Sequence, residues 1–190
     1  FAHIVSLQKS MKMGTRIPGA YLQIMNYEKE NRPDVLYGYP NSIISYPIPG
    51  TCIPPWFAEG IAQYMYDTAD YDIWDSHRDM ILRDRVINNN MLSFTEMNTF
   101  GKKGIGNEST YNAGYALVTY LTNEFGSNTI NQIIDELSKP NNFSIEKAFI
   151  NVFGMSGDEV YLNFKSILEA RYDSITEPIK IMPINGEILQ

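Results

Sequence analysis

The chain has 190 residues, of which 44% are hydrophobic, and a net charge of −7 from 22 acidic and 15 basic residues. This length predicts one domain with a sizeable core, and the acidic balance argues against nucleic acid as a partner, because phosphate binding needs a basic face. No segment approaches the roughly 20 continuous apolar residues of a membrane-spanning helix. Cys52 is the only cysteine, which excludes an internal disulfide and a cysteine-based zinc site.

The spacing of apolar residues and chain breakers predicts a mainly α-helical protein. The first helix is expected at 1–13 and is ended by Gly14. A second helix is expected at 18–31, with Pro18 in its first turn. A long irregular stretch, rich in proline, then leads to Pro55.

The rest of the chain predicts a series of helices separated by Gly, Pro or Asn. These helices are expected at 55–66, 74–88, 108–125, 128–138, 144–152 and 157–173, with a short capped turn of helix at 91–98. Ser156 and Glu159 have the Ser-x-x-Glu spacing of a capping box, in which each residue satisfies a backbone N–H of the other.

The C-terminal stretch changes character at Glu177. Ile179, Lys180 and Ile181 alternate between apolar and charged, and proline and glycine interrupt the residues after them, which predicts a short strand-like tail. We therefore divide the chain into a helical domain at 1–176 and a linker, or the start of a following domain, at 177–190.

The chain opens on Phe1-Ala2-His3, which fits the second half of a metal-binding helix. The motif H-E-x-x-H places two histidines on one helix face, with a glutamate after the first. Phe1 and Ala2 would fill the two variable positions and His3 the last, so a His-Glu pair would directly precede Phe1. We therefore expect the first ligand and the general base upstream of these residues, and the 190 residues alone to be inactive.

Glu59 is the candidate third ligand. Its helix follows two consecutive prolines, Trp56 and Phe57 are expected to anchor it in the core, and Gly60 would allow a second helix to cross closely. No Lys or Arg occurs in 35–76. Because burying an unpaired carboxylate is costly, such a glutamate needs a cation, and a metal ion would supply it.

Three segments together resemble the peptidase MA-like gluzincins: the Phe-Ala-His-Ile-Val start, Trp-Phe-Ala-Glu-Gly-Ile-Ala-Gln-Tyr at 56–64, and Tyr-Asn-Ala-Gly-Tyr-Ala-Leu-Val-Thr-Tyr-Leu at 111–121. The resemblance implies that His3 and Glu59 bind Zn²⁺. It also implies a tyrosine that donates to the oxyanion, for which Tyr111 is the candidate and Tyr115 the alternative.

Gln63 departs from the family pattern. It stands where some gluzincins carry an aspartate that orients a ligand histidine, and its amide oxygen could accept the same hydrogen bond. Without the resemblance, His3 is an ordinary helix histidine, Glu59 a surface acid and Tyr111 a packing tyrosine.

The resemblance covers about residues 1–125 and implies the helical C-terminal subdomain of a zincin-like metallopeptidase. Such an enzyme hydrolyses a peptide or protein substrate through metal-activated water. The resemblance also suggests a following β-propeller domain, and with it export to the periplasm or the outside of the cell rather than a cytoplasmic location. An alternative stays open: a non-catalytic helical protein-binding module that retains a peptidase-like fold. The two residues before Phe1 discriminate between these hypotheses.

Overall fold

A computed structural model describes residues 2–10, 20–26, 42–48, 52–69, 74–98 and 108–182. Only the backbone is described for the two strands and for a few helical residues, which are His3, Ile4, Leu7, Gln8, Glu108 and Ser109. This part of the chain is mainly helical, as the sequence predicts.

The helices are α1 (Ala2–Lys9), α2 (Pro55–Thr68), α3 (Ser76–Ile87), α4 (Glu108–Phe125), α5 (Thr129–Ser138), α6 (Ile145–Phe153) and α7 (Gly157–Lys180). A short 3-10 turn, Glu96–Asn98, lies between α3 and α4, and the strands β1 (Ala20–Asn26) and β2 (Ser42–Ile48) lie between α1 and α2.

The predicted helices from α2 onward are confirmed, most with ends within two residues of those expected. The capping box of α7 is also confirmed: the Ser156 hydroxyl accepts from the Glu159 backbone N–H at 3.2 Å, and the Glu159 carboxylate accepts from the Ser156 backbone N–H at 2.7 Å. The same reciprocal pair, Ser93 and Glu96, opens the short turn predicted at 91–98. Local signals of this kind are read correctly from sequence because both partners lie within one turn.

The helix expected at 18–31 is wrong, because residues 20–26 form β1. Its partner β2 lies inside the stretch expected to be irregular. The two strands are antiparallel, with Ala20 opposite Ile48 and Asn26 opposite Ser42. The apolar spacing in β1 also fits a helix, but pairing with a distant segment decides the outcome, and local periodicity cannot reveal that partner.

The strand-like tail expected from Glu177 is also wrong as far as it is described, since α7 continues to Lys180. Pro178 removes one helical hydrogen bond, yet the Ile181 N–H still bonds the Glu177 carbonyl at 3.2 Å. The helix therefore passes through the proline. Residues 183–190 lie outside the described part of the chain.

The core is built around the start of α2. Trp56 and Phe57 are fully buried, as predicted. The Trp56 ring packs at 5.8 Å from Phe94 and 6.3 Å from Phe149, measured between ring centroids. Its indole N–H donates to the Asn98 side chain at 3.2 Å. These contacts fix the position and rotation of α2, and so the direction in which Glu59 leaves the helix.

Helices α2 and α4 make an unusually close crossing through two glycines. A Cβ added at Gly60 would lie 2.4 Å from the carbonyl oxygen of Gly114, and one added at Gly114 would lie 2.5 Å from that of Trp56. Both distances are shorter than any van der Waals contact, so only glycine fits. The close crossing expected at Gly60 is thus confirmed, with Gly114 as the partner.

None of the described helices is long and apolar enough to cross a membrane.

We predict that Gly60→Ala lowers the free energy of unfolding by about 2 kcal/mol. Overpacking against rigid backbone costs up to about 3 kcal/mol, which exceeds the gain of about 1 kcal/mol in helix propensity. Urea unfolding measures the change. Ser166→Ala, on an exposed position of α7, is the control and should change stability by less than about 0.5 kcal/mol. A Gly60→Ala variant as stable as this control would contradict the close crossing.

Candidate functional site

Glu59 directly precedes Gly60 of the glycine crossing, and its side chain is half-buried. The Tyr111 phenol on α4 donates a hydrogen bond to its carboxylate. Burial raises the pKa of Tyr111, and the negative charge and hydrogen bond of Glu59 raise it further. The phenol therefore stays protonated at neutral pH and is a hydrogen-bond donor held against a carboxylate.

A second tyrosine–carboxylate pair lies further along the same two helices. The Tyr115 phenol donates to Asp67 at 2.8 Å, and the other Asp67 oxygen accepts from the backbone N–H of Trp74 at 3.2 Å. The Tyr115 ring stacks on the Trp74 ring at 4.6 Å, nearly parallel. Burial, with the Asp67 hydrogen bond and charge, raises the pKa of Tyr115 to about 12. The phenol of Tyr115 is thus engaged by Asp67, whereas that of Tyr111 is engaged by Glu59.

Sequence reasoning did not identify Asp67 and Trp74 as part of this arrangement. A usable signal was present: Tyr115 follows Tyr111 by four residues, and Asp67 follows Glu59 by eight. Both spacings keep the residues close to one face of their helices. Trp74 precedes α3 rather than lying on α2 or α4, so no helical periodicity relates it to Asp67 and Tyr115.

Gln63 lies one turn after Glu59, and its amide oxygen is buried without a hydrogen-bond partner among the described residues. Buried acceptors are nearly always paired, so an orphan of this kind calls for a donor. An imidazole N–H would satisfy it.

His3 lies in α1, and α1 packs against α2 and α5. Ser6 and Ser10 are buried, and each hydroxyl donates to the carbonyl four residues earlier, at 2.9 Å and 3.0 Å. Small side chains of this kind permit close helix packing. The fold thus brings the helix with His3 against the helix with Glu59, while the His3 imidazole itself lies outside the described side chains.

Among the described side chains, no group of three or more His, Cys, Asp and Glu is placed to hold a metal ion. Of the ligands expected from sequence, Glu59 is the one whose side chain is described. His77, the second histidine, is exposed on α3, as its charged surroundings in the sequence suggest.

No protein-family model, curated protein or solved structure matches the chain. The proposed function therefore depends on the arrangement of Glu59, Tyr111 and Gln63 and on the helix that carries His3.

We predict that Glu59→Gln lowers the pKa of Tyr111 toward its ordinary value of about 10, because it removes the negative charge that disfavours the phenolate. Asp67→Asn is the matched variant and should lower the pKa of Tyr115 instead. Carbon-13 NMR of ring-labelled tyrosine, assigned with Tyr111→Phe and Tyr115→Phe, measures both values. If both substitutions changed the pKa of the same tyrosine, or if neither changed a tyrosine pKa, the pairing of Tyr111 with Glu59 and of Tyr115 with Asp67 would be contradicted.

Proposed function

We propose that this chain belongs to a gluzincin-like zinc metallopeptidase that hydrolyses peptide bonds. His3 and Glu59 would bind Zn²⁺, and the proposal requires a His-Glu pair directly before Phe1 to supply the first imidazole and the general base. The observation that carries the proposal is the protonated Tyr111 phenol held against the Glu59 carboxylate.

The donor set suits a zinc ion in three respects. A carboxylate and imidazoles are the usual protein ligands of catalytic zinc. The orphaned Gln63 oxygen supports a histidine ligand whose free ring N–H it would accept. The close packing of α2 against α4 at Gly60 and Gly114 would hold the backbone of Glu59 in place beside a metal ion.

A zinc ion bound there would lower the pKa of its water to near 7 and polarise the scissile carbonyl. Glu59 would be a carboxylate ligand, and the single phenolic proton that Tyr111 now donates to Glu59 would turn to the substrate oxygen during the reaction. Tyr111, kept protonated by burial and by the neighbouring charge, would then donate to the oxygen that becomes negative during attack. Gln63 would hold an imidazole in one tautomer and orientation.

The substrate would be a peptide or protein. Tyr111 would face its scissile carbonyl, Glu59 would bind the zinc ion, and Gln63 would orient a histidine ligand of that ion. We retain a following β-propeller domain, and export from the cytoplasm, as parts of the same proposal. A non-catalytic protein-binding module differs in one testable respect: it needs neither zinc nor the His-Glu pair.

We predict that the protein with its native residues upstream of Phe1 binds one Zn²⁺ and hydrolyses peptides. Tyr111→Phe should lower kcat by about 10²-fold, the typical effect of removing an oxyanion donor. KM should stay unchanged, because the hydrogen bond to the oxyanion forms only in the transition state. Zinc content should also stay unchanged, because the substitution removes no metal ligand. Zinc content is measured by elemental analysis, and kcat and KM with a quenched fluorescent peptide.

Glu59→Gln should lose zinc as well as activity, whereas His77→Gln, which removes the exposed histidine of α3, should change neither. An upstream pair other than His-Glu, or wild-type zinc content in Glu59→Gln, would overturn the proposal and favour the protein-binding module.

A further inference from the structure

A cavity with a volume of about 380 Å³ lies between α3, α4 and α7, and Glu59 is not among the residues that line it. Among the described residues its wall includes the aromatic side chains of Trp74, Tyr115, Tyr120 and Phe164. Ligand cavities of this size usually combine apolar walls with a few polar groups. This cavity has such groups at Glu124 and Arg171.

The aromatic walls are fixed in place by their own contacts. Asp67 holds the stacked pair by accepting from the Tyr115 phenol and from the Trp74 backbone N–H, and the Trp74 indole N–H also points to Asp79 at 3.4 Å. The Tyr120 ring lies 5.6 Å from the Phe164 ring, measured between centroids. A ligand would therefore meet rings that are already ordered, which lowers the entropic cost of binding.

The charges around these rings favour a cation. Burial raises the pKa of Tyr120, and the negative charge of Glu124 raises it further. The Glu124 carboxylate is therefore close enough to the Tyr120 ring to act on it electrostatically. Arg171 also lines the cavity, but its guanidinium lies 3.1 Å from Asp79 and 5.3 Å from the centre of the Tyr172 ring. Its charge is thus offset, while Glu124 and Asp67 remain as acids beside the rings.

We propose that this cavity binds a compact organic cation of the quaternary ammonium class. The Trp74–Tyr115 stack, in which each ring covers one face of the other, and the Tyr120 ring would attract the cation through their quadrupoles, and Glu124 would add a negative charge at the rim. The inference is independent of the zinc site, because none of these residues is a proposed metal ligand.

Choline chloride is the probe, titrated against the protein with binding followed by calorimetry and tryptophan fluorescence. The chain has two tryptophans, and Trp56 is fully buried in the core, so a fluorescence change reports on Trp74. We expect saturable binding of choline and binding about tenfold weaker for its neutral isostere, in which carbon replaces the ammonium nitrogen. Equal binding of the two, or no saturable binding, would overturn the proposal.

Two substitutions locate the site. Tyr120→Leu should weaken choline binding about tenfold, whereas Tyr120→Phe keeps the ring and should stay within about twofold. Glu124→Gln should weaken binding several-fold, and Glu169→Gln, an exposed acid on α7, should not. Urea unfolding confirms that each variant is folded. Unchanged affinity in both Glu124→Gln and Tyr120→Leu would place the cation elsewhere and refute the assignment.

Discussion

The contact between Gly60 and Gly114 determines how closely α2 and α4 lie, and the proposed chemistry depends on that distance. With a Cβ at either position, the helices would have to separate, because the obstacle is backbone rather than a flexible side chain. At this separation the Tyr111 phenol on one helix donates to the Glu59 carboxylate on the other. The fully buried Trp56 holds the start of α2 in the core and fixes its rotation.

This close interface also explains why two carboxylates are tolerated between the helices. Glu59 and Asp67 each accept from a tyrosine of α4, so each has a donor where water is partly excluded. Burial, together with the same carboxylates, raises the pKa of both tyrosines, so the phenols stay protonated. The two pairs nevertheless differ in their surroundings. Asp67 also accepts a hydrogen bond from the Trp74 backbone N–H, whereas Glu59 lies one turn from Gln63, whose buried amide oxygen has no hydrogen-bond partner among the described residues.

Features set within one helix could be predicted from the sequence. The Pro55 start of α2, the Ser156 capping box and the glycine at the crossing depend on neighbours within a turn or on the absence of a side chain. The strand β1 could not be predicted, since its hydrogen bonds come from β2 and its apolar spacing fits a helix equally well. Likewise, Glu59 and Tyr111 could each be identified as candidates from the sequence, but their hydrogen bond could not. It joins two helices that pack through Gly60 and Gly114, and no local sequence pattern predicted that Gly114 contacts α2.

The central claim is that the helix of His3 and the helix of Glu59 share one divalent ion, and histidine NMR tests it most directly. In the protein with its native upstream residues and nitrogen-15-labelled histidine, Zn²⁺ should shift the ring signals of His3 and leave those of the exposed His77 unchanged. Glu59→Gln should abolish or strongly weaken the shift at a stoichiometric zinc concentration. A His3 signal indifferent to zinc, or shifted equally with and without Glu59, would contradict the account.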